Sequence, residues 1–247
     1  MKRINILILF FVFSIGSFAA QSIPIPQINF GVGSSNKPED VATVLQILVV
    51  LTILSLAPSI IMLTTSFIRI TIVLHFVRQA LGLQQMPPNQ MLIGLSLFLT
   101  FFVMQPTVDS IMTNGINPYL DKKISQEQML QNVGKPMKAF MLKQTREKDL
   151  ELFLKVSKSR KPASRNDVSI WIVIPAYIVS ELTRGFEIGI LIFIPFIVVD
   201  MIIATILMSL GMMMLPPAMI SLPFKLLLFV MIDGWSLIIE ALVRSFG

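Results

Sequence analysis

Four long apolar stretches, each cut or bordered by proline, set the terms for any fold this chain adopts. They run from Val41 to about Leu63, Met91 to Val108, Ile188 to Leu210 and Ser221 to Val243, the first continuing helically toward Gly82. A helix needs about 20 apolar residues to cross roughly 30 Å of hydrocarbon, and each stretch approaches or exceeds that. Pro58, Pro106, Pro195 and Pro223 fall inside these runs or at their edges. Proline removes a helical hydrogen bond and kinks the rod. In lipid the freed carbonyl must find a partner in neighbouring protein. The pattern predicts bent helices packed against one another. Composition agrees, with 54% of the 247 residues hydrophobic and 14% charged, where soluble domains carry about 25% charge. This is a membrane protein.

Around the apolar runs the chain changes character several times. Residues 1–20 have a basic head (Lys2, Arg3), an apolar run from Ile4 to Ile15 and the small pair Ser17 and Ala19. That order predicts a secretory signal peptide, and an uncleaved anchor helix fits it too. Either leaves Gln21 outside the cytoplasm. Residues 21–40 carry Pro, Gly and Ser and read as an exported linker. Residues 41–108 form a first membrane-associated helical hairpin, and 169–247 a second. Between them, 109–168 holds twelve Lys or Arg and seven Asp or Glu. Its apolar positions recur at three and four, predicting amphipathic helices broken near Gly134–Pro136. Ser125 and Gln128 have the spacing of a capping box. Counting crossings from an exported N-terminus puts this basic block outside the cytoplasm. The positive-inside rule prefers the reverse, since the Thr64–Gln90 loop offers only Arg69 and Arg78. That rule weakens for loops near 60 residues, so the crossing count decides.

Several residues stand out chemically. Met212, Met213 and Met214 lie between Gly211 and Pro216–Pro217. Glycine suits a helix end, and a proline pair cannot continue the preceding helix. The segment is therefore a loop between two apolar helices, filled with flexible, polarisable side chains. Two readings stay open: a buried hairpin turn, or an apolar gasket formed by loops from several subunits. Asp200 and Lys225 flank this loop at equal distance, roughly 18 Å from its tip at 1.5 Å per residue. Lone ionisable groups in apolar surroundings usually pair, which favours an ion pair over a proton-relay carboxylate. Glu181, Arg184 and Glu187 recur every third residue and suggest a ladder of ion pairs. Gly185 and Gly189 form a GxxxG, which lets helices approach closely. A solvated face and a seam between subunits both fit that stretch. Asp233 and Glu240 are candidate contacts for partner helices. His75, the only histidine, is expected on a helix surface beside a cytoplasmic mouth. There is no cysteine, no HExxH, no P-loop and no GxSxG, so neither a metal site, a cofactor nor an enzyme is expected. The net charge of +6 sits mostly in the 109–168 block, so nucleic acid is not an expected partner.

Three quoted stretches resemble the FliP family of flagellar export-gate proteins. They are "LAPSIIMLTTSFIRITIVLHFVRQALGLQQMPPNQMLIGLSLFLTFFVM" (Leu56 to Met104), "PAYIVSELTRGFEIGI" (Pro175 to Ile190) and "PFIVVDMIIATILMSLGMMMLPPAMISLPFKLLLFVMIDGW" (Pro195 to Trp235). The resemblance covers nearly all of the expected mature chain, and the signal peptide favours the flagellar over the virulence branch. It implies an all-α membrane protein of bent helical hairpins with an extracytoplasmic helical insertion, assembling into a helical oligomeric gate. Five copies would join FliQ and FliR, with FlhA and FlhB among the other export components. The assembly would pass unfolded flagellar proteins across the bacterial inner membrane at the flagellar basal body. The resemblance also favours the gasket for Met212–Met214 and the inter-subunit seam for Glu181 to Gly189. The main alternative is an ion-coupled secondary transporter, which predicts inverted internal repeats that the chain does not display.

Overall fold

The computed structural model describes residues 38–83, 85–158, 162–212 and 214–247. The expected signal peptide, most of the linker and Met213 lie outside the described residues. The described residues are helical, with no strand among them. The helices are α1 (Pro38–Thr64), α2 (Phe67–Ala80), α3 (Asn89–Ile111), α4 (Asn117–Leu120), α5 (Gln126–Gln144), α6 (Glu147–Val156), α7 (Ile170–Ser209), α8 (Pro217–Met231) and α9 (Gly234–Arg244). A π-helical turn, Met112–Ile116, joins α3 to α4. By its contacts the chain divides after Val50. The earlier unit contributes the start of α1, with Val44, Leu45, Leu48 and Val49 exposed. The unit from Leu51 onward holds the packed structure.

α1 ends where three hydroxyl residues follow one another. Thr64 Oγ1 donates to the Ile60 carbonyl at 2.8 Å, and the Thr65 carbonyl accepts from the Tyr177 hydroxyl at 2.8 Å. The first bond lies inside the last turn of α1, and the second gives the Thr65 carbonyl, just beyond the helix end, a partner on α7. The expected Thr64–Gln90 loop is corrected here, because most of it is the buried helix α2. Ile70, Val73, Leu74, Val77 and Ala80 are all fully buried. α2 lies against α3 and α7. His75 is half-buried within α2, its Nδ1 2.8 Å from the Thr71 carbonyl.

Two other helices run through interior prolines, the first at an expected break. α5 continues past Gly134 and Pro136. An interior proline costs roughly 3 kcal/mol, but each buried aliphatic or Met side chain returns about 1.5–3 kcal/mol. Met141 and Leu142 beyond the proline are both buried, and Asn132 before it donates to the Asn114 carbonyl at 2.9 Å. Packing on both sides outweighs the lost bond. The capping box at its start is complete, with Gln128 N to Ser125 Oγ at 3.3 Å and Ser125 N to Gln128 Oε1 at 3.1 Å. α7 likewise passes through Pro175 and Pro195 as one helix of 40 residues, about 60 Å long at 1.5 Å per residue. That is twice the hydrocarbon thickness.

The fourth apolar stretch, by contrast, is not one rod. α8 and α9 meet at 65°, with Asp233 left-handed at φ 50°. A Cβ on Gly234 would sit 2.3 Å from the Phe229 ring, so only glycine permits this corner. Three helical segments (Val44–Thr64, Asn89–Leu120 and Ile170–Ser209) are long and apolar enough to cross a membrane, and the bent α8–α9 pair makes up to four. The boundary expected between 108 and 109 falls inside the continuous Asn89–Leu120 segment.

Candidate functional site

The second hairpin positions the methionines. α7 stops at Leu210 because Gly211 turns left-handed, at φ 75°. Gly211 N donates to the Met208 carbonyl at 3.0 Å and Met212 N to the Leu207 carbonyl at 3.0 Å. This is the six-to-one, five-to-two pairing of a Schellman helix end. Pro216 then caps α8, and Pro217 occupies its first turn, where a missing N–H costs nothing. These two ends fix the backbone on either side of the loop. Met214 is 98% exposed and Met212 43%, so neither fills a buried turn within this chain.

Farther down the hairpin, Lys225 Nζ donates to Asp200 Oδ2 at 2.6 Å. Ser221 Oγ donates to Asp200 Oδ1 at 2.5 Å, and Lys225 Nζ also reaches the Ala80 carbonyl at 3.3 Å. That carbonyl lies in the last turn of α2, where a cation meets the negative end of the helix dipole. The pair therefore ties α7, α8 and α2 together.

A second polar node lies deeper. Arg69 is 1% exposed and Glu181 0%. Arg69 Nε donates to Glu181 Oε2 at 3.0 Å, and Nη2 donates to Glu181 Oε1. Nη2 also donates to Gln144 Oε1 at 3.0 Å, while Nη1 donates to Ser245 O at 2.9 Å and Ser245 Oγ at 3.0 Å. All five guanidinium N–H groups are thus engaged. The guanidinium carbon lies 3.9 Å over the centre of the Phe246 ring, a cation–π arrangement. Gln144 completes the node by donating to the Phe246 carbonyl at 2.9 Å and accepting from Arg184 Nη1 at 2.9 Å. Beside it, Arg146 grips Asp149 at 2.7 and 3.2 Å and reaches Glu187 Oε1 at 3.2 Å.

This geometry corrects the ladder expected of Glu181, Arg184 and Glu187. The three do not pair with each other but with Arg69, Gln144 and Arg146. Glu181, Gly185 and Gly189, four apart, share one face of α7. That face meets α2 of the same chain. A Cβ on Gly185 would lie 3.1 Å from Ile72, and one on Gly189 would lie 2.5 Å from the Phe76 ring. The close approach expected between subunits is, at these two glycines and Glu181, a contact within the chain. The sequence offers Arg69 only as a loop charge, and neither Gln144 nor Ser245 stands out in it. An arginine inside the apolar "SFIRITIVLHF" was the available signal. Asp233 marks the α8–α9 corner, and Glu240 pairs with Arg244 at 2.5 Å on an exposed face.

Among the described residues these features define a helical protein with three to four segments apolar enough to span a membrane, buried ionisable side chains that join helices, and Met212 and Met214 exposed at a hairpin tip. Comparison with known proteins makes the class particular. The FliP family model matches residues 50–242, and the chain belongs to the FliP family. The flagellar biosynthetic protein FliP of Bacillus subtilis (strain 168) is 52% identical over 213 residues, covering 86% of this chain and 96% of that protein. Its namesake in Aquifex aeolicus (strain VF5) is 47% identical over 224 residues, covering 90% of this chain and 92% of that protein. Its namesake in Caulobacter vibrioides is 47% identical over 228 residues, covering 92% of this chain and 84% of that protein.

Proposed function

We propose that this protein is a subunit of the flagellar type III protein export gate, forming the channel through which unfolded flagellar proteins cross the inner membrane. Copies of the chain, five in number, assemble with FliQ and FliR around a shared axis, and FlhA and FlhB join them at the basal body. The basic segment 109–168 lies outside the cytoplasm. Membership of the FliP family supports the export role. The single observation that carries the seal is the exposure of Met214 and Met212 on a turn whose backbone is pinned by Gly211, Pro216 and Pro217. Met214, almost wholly uncovered by its own chain, and the exposed part of Met212 are free to meet their counterparts in neighbouring copies.

A ring of thioethers would exclude ions, because stripping water from an ion in an apolar constriction costs several kcal/mol or more. The same ring yields to a passing polypeptide, since methionine changes rotamer easily. The test is conductance of the purified FliP–FliQ–FliR complex in planar bilayers. Replacing Met212, Met213 and Met214 with alanine should raise resting ion conductance by roughly tenfold or more, as apolar volume is lost from the constriction. Unchanged conductance removes the gasket.

A further inference from the structure

The exposed thioethers at the hairpin tip invite a chemistry that sealing alone does not use. We propose that Met212 and Met214 are a peroxide-sensitive modification site, at which conversion to sulfoxide opens the seal; this rests on the gasket reading given above. Methionine oxidation follows access to the sulfur. Met214 is 98% exposed and Met212 43%, whereas Met104 is 4% exposed and Met141 2%. Met201 and Met231 are exposed as well, but they lie on the apolar helices α7 and α8, where lipid or neighbouring helices cover them. On the gasket reading, the loop sulfurs instead face the aqueous compartments on the two sides of the seal. Hydrogen peroxide is small and uncharged and reaches them without a binding pocket.

The step balances. A sulfur lone pair attacks one peroxide oxygen, the S–O bond forms as the O–O bond breaks, and hydroxide departs. The proton of the new S–OH group passes to that hydroxide, giving sulfoxide and water. Sulfur is oxidised by two electrons and the peroxide is reduced by two. The product is a strong hydrogen-bond acceptor in place of an apolar group. A ring of them holds water, and a hydrated constriction no longer rejects ions.

The experiment treats the purified gate complex in lipid bilayers with hydrogen peroxide and follows two readouts together: sulfoxide at each methionine by peptide mass spectrometry, and ion conductance. Sulfoxide should form at Met214 and Met212 before Met104 and Met141, and conductance should rise roughly tenfold or more in step with it. Methionine sulfoxide reductases should reverse both. With Met212→Leu, Met213→Leu and Met214→Leu combined, peroxide should add nothing to that variant's own untreated conductance. Sulfoxide at exposed Met86 but none at Met214 overturns the site. So does full oxidation at Met214 with conductance unchanged, or an equal peroxide response in the leucine variant. If the alanine variant leaks without oxidant while the oxidised native channel stays shut, the gasket stands and this inference alone falls. If the alanine variant does not leak, the gasket reading itself has failed.

Discussion

Arg69 and Glu181 stand 112 residues apart in the chain and meet in its interior, with Arg69 Nε 3.0 Å from Glu181 Oε2. The contact brings together α2, α7, the end of α5 and the last residues after α9. A buried ion pair is not in itself strong evidence of stability, since desolvation offsets most of its attraction. Removing one partner is a different matter, because the survivor is left charged and unpaired. Arg69→Met or Glu181→Leu alone should therefore cost about 3–5 kcal/mol, while the double substitution should cost clearly less than the sum. Arg69→Lys should also fail to substitute, as one ammonium cannot supply five donors in a planar fork. Unfolding of the detergent-solubilised protein in SDS titrations measures each case. Additive single and double costs would refute the coupling.

A second prediction concerns Gly189. Alanine is normally the better helix former by about 1 kcal/mol, yet here its Cβ would meet the Phe76 ring at 2.5 Å. That ring is held edge-on between Phe186 and Phe193, with centroids at 5.7 and 6.2 Å, so it has little room to retreat. Overpacking costs typically about 1–3 kcal/mol, and Gly189→Ala should be destabilising within that range. Gly94→Ala is the control. Nothing lies within 4 Å of its Cβ, so that change should be neutral or mildly stabilising. Phe76→Leu should relieve part of the Gly189→Ala defect.

These two contacts also mark where sequence reading stops. The apolar stretches, the capping box at Ser125 and the reversal at Gly211 are local signals, each written in a few adjacent residues. Asp200 and Lys225 are nearly local too, since a hairpin that reverses between them has one register and sets both at one depth. Arg69 and Glu181 have no such register, because the loops and helices between them leave the pairing to tertiary packing. The spacing of Glu181, Arg184 and Glu187 suggested a ladder, but which face α2 would cover is not encoded in that spacing. Pro136 shows the same limit. Local propensity predicts a break there, and contacts made by Met141 and Leu142 override it. The corner at Asp233–Gly234 had a local signal, since an Asp-Gly pair marks turns, but its flanks are so apolar that the whole run reads as one stretch.

The Asp200–Lys225 pair predicts an asymmetric response to substitution. Lys225 is buried with only Asp200 and the Ala80 carbonyl as partners, whereas Asp200 also accepts from Ser221. Lys225→Met leaves a carboxylate that Ser221 can still serve. Asp200→Ala leaves a buried ammonium with only the Ala80 carbonyl, and should be the more damaging. A double-mutant cycle should give a coupling of roughly 1–2 kcal/mol. Exchanging the two residues should restore only part of the stability, because a lysine at 200 cannot serve the α2 terminus from the same place. Full rescue by the exchange would show that charge sign alone matters.

Outside the membrane-crossing segments, Asp149 predicts a pH dependence. Burial pushes its carboxyl pKa up, but hydrogen bonds from Arg146 and Ser180, with the charges of Arg146 and Lys148, outweigh burial and hold it below the ordinary carboxylate value. A carboxyl whose pKa is lower in the folded than in the unfolded chain stabilises the fold above the unfolded value, near about 3.9. That contribution declines as pH falls through the lowered folded value. The folded state should thus lose stability in the acid range below pH of about 4, and Asp149→Asn should flatten that part of the profile. At neutral pH the same variant should be less stable than the native protein, since Arg146 loses its buried ionic partner and keeps only the exposed Glu187, while Ser180 still holds the Arg146 N–H at 3.0 Å. Thermal unfolding of both forms across pH 3 to 7, roughly spanning the two carboxylate states, reads the difference. Parallel curves would mean that Asp149 titrates alike in the folded and unfolded chains, and the clamp at the α5–α6 junction would then owe nothing to its charge.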